Sequence, residues 1–237
     1  MKNEFPASGR DWIRALFFPP KCLCCKERVP PDRLFCRSCA KKLPEEPNRR
    51  VITLDNGQDM TVLAPFAYEG GYRETMLLYK FAGCRVMALR IGAAMAGLVG
   101  ELPERSWTVT YVPLSPEGLR NRGYDQSHLL ALQVARHNGL EVQRLLEKVK
   151  KTRTQHELGL EERLTNLLGA YRASEQAKGK DLILVDDIVT SGSTLKECAG
   201  ALYEAGAGLV CCLCAAGSWV EQAKAEETET GVLLRWM

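Results

Sequence analysis

From Thr61 onward, short apolar runs bounded by turn residues alternate with longer stretches of helical periodicity. The segments TVLAPFAY (61–68) and WTVTYVPL (107–114) predict strands, whereas YRETMLLYKF (72–81) and RVMALRIGAAMAGLVG (85–100) predict helices. In YDQSHLLALQVARHNG (124–139), Leu129, Leu130, Ala131, Val134 and Ala135 line one side of a helix that should stop at Gly139. DLILVD (181–186) predicts a strand, and STLKECAGALYEAGAG (193–208) a helix with Leu195, Cys198, Ala199 and Leu202 on one face. LVCCLCAA (209–216) predicts a further strand. Such alternation implies an α/β fold with a mostly parallel central sheet flanked by helices. Ligands of these sheets bind at the carboxyl ends of the strands.

One stretch, DLILVDDIVTSGST (181–194), carries chemistry. Leu182, Ile183, Leu184 and Val185 show no alternation, as expected of a strand buried on both faces. Asp186 and Asp187 then fall at its expected carboxyl end, and Thr190, Ser191, Gly192, Ser193 and Thr194 turn the chain into a helix. A loop of small residues entering a helix aims backbone N–H groups at one point and adds the positive end of the helix dipole, which suits a phosphate. Gly192 would let the backbone approach that phosphate, and the four hydroxyls add donors. Carboxylates repel phosphate but accept from hydroxyls, so the pair suits the ring hydroxyls of a ribose. The stretch therefore predicts a sugar-phosphate site. The magnesium strand of a P-loop hydrolase is a rival, yet no G-x-x-x-x-G-K-[ST] occurs in the chain. GAGLVC at Gly206 follows a helix and lacks the third glycine of a dinucleotide loop. The plainest alternative is a capped strand-to-helix turn with solvated acids.

Upstream, CLCCKERVPPDRLFCRSC (22–39) places Cys22, Cys25, Cys36 and Cys39 as C-x2-C-x10-C-x2-C. Each pair lets one backbone turn aim two sulfurs at a single ion, the layout of a closed structural zinc ribbon. Cys24 is a spare thiol that could compete with Cys25 for this role. Of the ten cysteines, Cys84, Cys198, Cys211, Cys212 and Cys214 sit in apolar or helical text and read as small core residues. KKLPEEPNRRVITLDNGQDM (41–60) is rich in charge and turn residues, so a boundary is expected near residue 58. Residues 1–58 would hold the cysteine module and a linker, and residues 59–237 the α/β domain.

Composition narrows the classes further. The chain has 237 residues, 46% of them apolar, enough for one sizeable core and a small module. Residues 86–100 fall short of a membrane span and include Arg90, and no export signal is recognised, so a cytoplasmic chain with reduced thiols is expected. A net charge of +3 leaves attraction to nucleic acid to local patches, of which Arg120 with Arg122 and KVKKTR (148–153) are two.

The stretch from Leu182 to Thr194 resembles the phosphoribosyl pyrophosphate motif of type I phosphoribosyltransferases. YVPLSPEGLRNRGYDQS (111–127) brings Arg120, Arg122, Gly123, Tyr124 and Gln126, and KTRTQHELGLEERLTNLLGAY (151–171) brings Arg153, Gln155, Leu158, Arg163, Asn166 and Gly169. With Tyr68, Lys80 and the cysteine module, the chain is similar to the ComF family of competence-associated proteins from about Pro19 to about Ala216. The final twenty residues add nothing recognisable. Asp125 stands where that family usually has Asn, and it offers itself as a helix cap. The resemblance implies a type I phosphoribosyltransferase-like fold with a hood, phosphoribosyl pyrophosphate bound with magnesium, and the handling of single-stranded DNA in natural transformation.

Two functions are compatible with such a pocket. One is a phosphoribosyltransferase, including an enzyme of nucleotide metabolism or salvage without a DNA role. It would release pyrophosphate with Asp186 and Asp187 at the centre and Arg120, Arg122 and Arg153 countering the departing polyanion. The other is a binding protein that senses the ligand while the zinc module and basic loops hold single-stranded DNA or a competence partner such as a helicase. Aromatic residues make up 7% of the chain, so base stacking would rely on Tyr72, Tyr79, Phe81 or Tyr124. His128, His137 and His156 show no partner in the sequence and read as surface residues.

Overall fold

A computed structural model describes residues 9–43, 46–81, 85, 87–149 and 169–218. The chain begins with α1 (Gly9–Phe17) and the short α2 (Arg37–Ala40) of the cysteine module, then enters the sheet through β1 (Asn48–Thr53), β2 (Asp59–Ala64) and β3 (Phe66–Ala67). Helices α3 (Gly70–Phe81) and α4 (Met87–Ala96) follow, then β4 (Trp107–Tyr111), α5 (Pro116–Arg122), α6 (Gln126–Asn138) and β5 (Glu141–Val142). A separate antiparallel hairpin pairs β6 (Leu146–Lys148) with β7 (Tyr171–Ala173). β8 (Asp181–Val189), α7 (Ser193–Glu204) and β9 (Val210–Gly217) complete the described chain.

The main sheet runs β1-β2-β9-β8-β4-β5, with β3 extending the β2 side of β9. Every pairing in it is parallel except β1 with β2. β8 is buried on both faces, as its unbroken aliphatic run requires. Ile183 and Val185 enter a core shared with α3, α4, α6 and the cysteine module, while Leu182 and Leu184 enter a second core beneath α7 and the β6–β7 hairpin. Cys198, Cys211, Cys212 and Cys214 are buried in these two cores, and burial pushes the Cys211 thiol up to about 11. Cys84 lies outside the described residues.

The stretch expected as linker belongs to the sheet: residues 48–53 are β1, an edge strand joined to β2 by a turn in which Gly57 has φ 81°. The cysteine module likewise rests on the α/β core, with Cys22, Leu23, Leu34 and Phe35 packed beside Phe66 and Tyr72. No helix among the described residues is long and apolar enough to cross a membrane.

Candidate functional site

β8 continues through the acid pair and does not end at it. Its pairing with β4 stops at Tyr111↔Val185, yet pairing with β9 persists to Val189↔Gly217. Asp186 and Asp187 therefore sit in a notch where β4 has already left the sheet toward α5. Side chains from other elements fill that notch. The Ser127 hydroxyl on α6 donates to Asp186 Oδ1 at 2.9 Å, and Lys80 Nζ on α3 lies 3.2 and 3.0 Å from the two Asp187 oxygens. Backbone N–H groups of Asp187 and Ile188 donate to Asp186 Oδ1 and Asp187 Oδ1 at 2.8 and 2.7 Å.

Both carboxylates are buried. Burial, then the neighbouring Asp187 charge, pushes Asp186 up to about 7, against the opposing pull of Lys80, the Asp187 N–H and Ser127. Burial pulls the Lys80 ammonium down, but the charges of Asp187 and Asp186 outweigh it and the net shift is upward. Lys148 on β6 moves the other way: burial lowers it more than Cys198 and Asp186 raise it. Among the described residues Lys80 ion-pairs with Asp187, while Asp186 is held by the Ser127 hydroxyl and a backbone N–H.

Beyond Val189 the chain makes the expected turn into α7. Thr190 and Ser191 are exposed, Ser193 and Thr194 half-buried, and the Ser191 and Ser193 hydroxyls lie 2.9 Å apart. Gly192 is the N-cap of α7 and supplies no side-chain cap, while the Ser193 N–H donates to Ser191 Oγ at 3.4 Å from within the turn. Its φ of 81° favours glycine, and an added Cβ would lie 2.5 Å from Ile52 Cδ1 on β1. The edge strand thus presses on the turn from the side.

Arg120 and Arg122 occupy the last turn of α5, which Gly123 closes in the left-handed conformation. Arg122 Nη1 donates to Gln126 Oε1 at 3.2 Å, and Gln126 Nε2 donates to the Lys80 carbonyl at 3.1 Å. This links Arg122 to the acid pair's own lysine. Arg120 is exposed. Arg153, Gln155, His156, Leu158, Arg163 and Asn166 lie outside the described residues. Asp125 caps α6: Oδ1 accepts from His128 N at 3.1 Å, and Oδ2 accepts from Leu114 N at 3.0 Å. A separate hollow of about 390 Å³ between the β6–β7 hairpin and α7 is lined by Tyr171, Ala201 and Ala205 and by none of the acid-pair residues.

The sulfurs of Cys22, Cys25, Cys36 and Cys39 all lie within 4.8 Å of one another, and Cys25 and Cys36 approach to 3.6 Å. A tetrahedral zinc with bonds of about 2.3 Å needs sulfurs about 3.8 Å apart, so the cluster is compatible with the ion. Cys24 is outside the cluster and donates its N–H to Cys22 Sγ at 3.4 Å. Burial raises Cys22, but backbone N–H groups of Cys25, Cys36 and Cys24 overcome it and lower the thiol to about 7.

A mostly parallel sheet with an acid pair near the carboxyl end of β8, followed by a glycine-led turn into a helix, defines a type I phosphoribosyltransferase-like domain, and the phosphoribosyl transferase domain family matches residues 127–233. The chain is 32% identical over 188 residues to the DNA utilization protein YhgH of Escherichia coli (strain K12), covering 77% of this chain and 78% of that one. It is 28% identical over 144 residues to the competence protein ComFC of Bacillus subtilis (strain 168), covering 60% and 57%. The chain belongs to the ComF family. Among solved structures, the allosteric regulatory enzyme of purine biosynthesis aligns over 72% of this chain and 36% of its own, at 21% identity and a TM-score of 0.41.

Lys80 and Ser127 are the partners that sequence reasoning did not assign to the acid pair. They lie 107 and 59 positions from their carboxylates, so no contiguous motif joins them to the pair.

Proposed function

We propose that this chain is a cytoplasmic DNA-utilisation protein of the competence type whose phosphoribosyltransferase-like domain binds phosphoribosyl pyrophosphate with magnesium. The observation that carries this reading is the buried Asp186–Asp187 pair beside the glycine-led turn of small hydroxyl residues into α7. In this arrangement the ribose hydroxyls donate to the carboxylates, and residues 190–194 receive the 5′-phosphate. Magnesium, when bound, neutralises pyrophosphate oxygens that Asp186 and Asp187 would otherwise repel. Lys80, Arg122 and Lys148 surround the same notch, and Arg120 and Arg153 join them as pyrophosphate contacts. If the ligand turns over, these cations stabilise the leaving pyrophosphate as its bond to ribose C1 breaks. Cys22, Cys25, Cys36 and Cys39 hold a structural zinc, and the zinc module and basic loops meet single-stranded DNA or a helicase partner.

Calorimetric titration of phosphoribosyl pyrophosphate with magnesium tests the site. Replacing Asp186 and Asp187 together by Ala should weaken binding at least about tenfold, since each charged acceptor contributes about 1.5–3 kcal/mol. Equal affinity would remove the assignment. Pyrophosphate release in the same tube separates an enzyme from a sensor. Binding needs the ionised pair, so wild-type affinity should rise between pH 6 and 8, through the value of about 7 at Asp186.

A further inference from the structure

Of the four aromatic residues the sequence offers for base stacking, Tyr72, Tyr79 and Tyr124 keep 3%, 0% and 6% exposure, whereas Phe81 keeps 61%. Phe81 ends α3, one residue beyond the lysine that meets Asp187. The Arg122 guanidinium lies 5.3 Å from its ring centre, held there by the buried Gln126. Gln126 also grips the Lys80 carbonyl, so ring and guanidinium share one strut. Nearby, Arg85 covers the Tyr124 ring at 5.0 Å and donates to the Gly123 carbonyl at 2.7 Å, and Arg120 on the same turn is exposed.

We propose that Phe81 is a stacking platform for a nucleobase of single-stranded DNA, backed by Arg122, with Arg85 supplying charge for the phosphates. The proposal rests on the DNA-handling role above and adds where a base is held. An open ring among guanidinium groups is a poor seat for an apolar protein surface, which would have to desolvate those charges. A base with its phosphate satisfies both features: the ring offers a sequence-tolerant π-face, and the cations meet the backbone. Phe81 directly follows the lysine that meets Asp187, and a free mononucleotide has the same chemistry as a DNA base and must be distinguished from it.

The test is fluorescence anisotropy at fixed salt with labelled oligo(dT) of about 16 nucleotides and an abasic oligonucleotide of equal length. Phe81→Leu should weaken oligo(dT) binding about tenfold, as expected for one lost stacked base, and Phe81→Trp should restore it. The abasic strand should bind wild type and Phe81→Leu alike. Equal oligo(dT) affinity in both proteins, or an equal loss on the abasic strand, overturns the platform while leaving the DNA role intact. A tenfold loss for thymidine monophosphate without one for oligo(dT) assigns Phe81 to free nucleotide and overturns the DNA assignment. Wild type that binds no oligo(dT) sinks the platform and the DNA role together. Phosphoribosyl pyrophosphate affinity should match between wild type and Phe81→Leu, and a joint loss of both ligands would mark a distorted α3 and overturn the proposal.

Discussion

Asp186 is held in a position that a folded chain would not choose for stability. Its pKa is raised by burial and by Asp187, so the folded state holds a proton that the unfolded chain releases near pH 4. Between about pH 4 and pH 7 the native protein binds more protons than the unfolded one, and its stability falls as pH rises. Asp186→Asn removes this penalty while keeping an oxygen for Ser127. Without ligand, the variant should melt about 3–6 °C above wild type at pH 8. That advantage should shrink as pH falls toward 4, and thermal scans across pH check both sign and window. An Asn that lowers the melting temperature at pH 8 would show that the charge is compensated. At this scale the acids and the small polar turn were legible because they form one contiguous run, 181–194. Ser127 and Lys80 were not, since only packing brings them within 3.2 Å.

At the scale of elements, α3 joins the two candidate sites. Gly71, Thr75 and Tyr79 recur every fourth residue and so share one stripe of the helix. An added Cβ on Gly71 would lie 2.4 Å from the Cys24 carbonyl oxygen, and Thr75 hydrogen-bonds the Leu23 carbonyl. Further along, the Tyr79 hydroxyl donates to the Gln126 carbonyl at 2.8 Å, and Lys80 reaches Asp187. Gly-to-Ala changes inside helices ordinarily stabilise by up to about 1 kcal/mol. Gly71→Ala should instead destabilise by about 1–3 kcal/mol through overpacking against backbone, whereas Gly200→Ala on α7, with nothing within 4 Å, should show the ordinary gain. Denaturant titration of the two variants tests the contrast. The helical period of α3 was readable, but its dependence on glycine was not, because the obstacle lies 47 residues upstream at Cys24. β1 was missed for another reason. Its alternating burial is hidden by the polar run Asn48, Arg49 and Arg50, whose two arginines suit an edge strand, although Asn56-Gly57 is a hairpin signal.

Across the whole molecule, the cysteine module is fastened to the α/β domain through its carbonyls. Arg90 on α4 donates to the carbonyls of Lys21, Arg33 and Leu34, and Lys26 reaches the Leu23 carbonyl and Thr75. Burial lowers Arg90 to about 10, still well above neutral pH, so the clamp stays charged. If zinc fixes the knuckles, stripping it should lower the melting temperature and reduce hydrogen-exchange protection along α3 as well as in residues 22–39. Unchanged melting and metal content after chelation would defeat the zinc assignment. Protection lost in the module alone would show that α3 stands without it.

The sequence by itself determined the alternating α/β order, the unbroken aliphatic strand, the acid pair with its small polar turn, and the cysteine spacing. Each is set by neighbours in the chain, through side-chain period, backbone freedom or the reach of one turn. Tertiary structure decided that β1 joins the sheet, that Lys80 and Ser127 close on the carboxylates, and that Phe81 alone of four candidate aromatics stays exposed. Those outcomes depend on which distant surfaces the parallel crossovers bring together, and no local pattern encodes that.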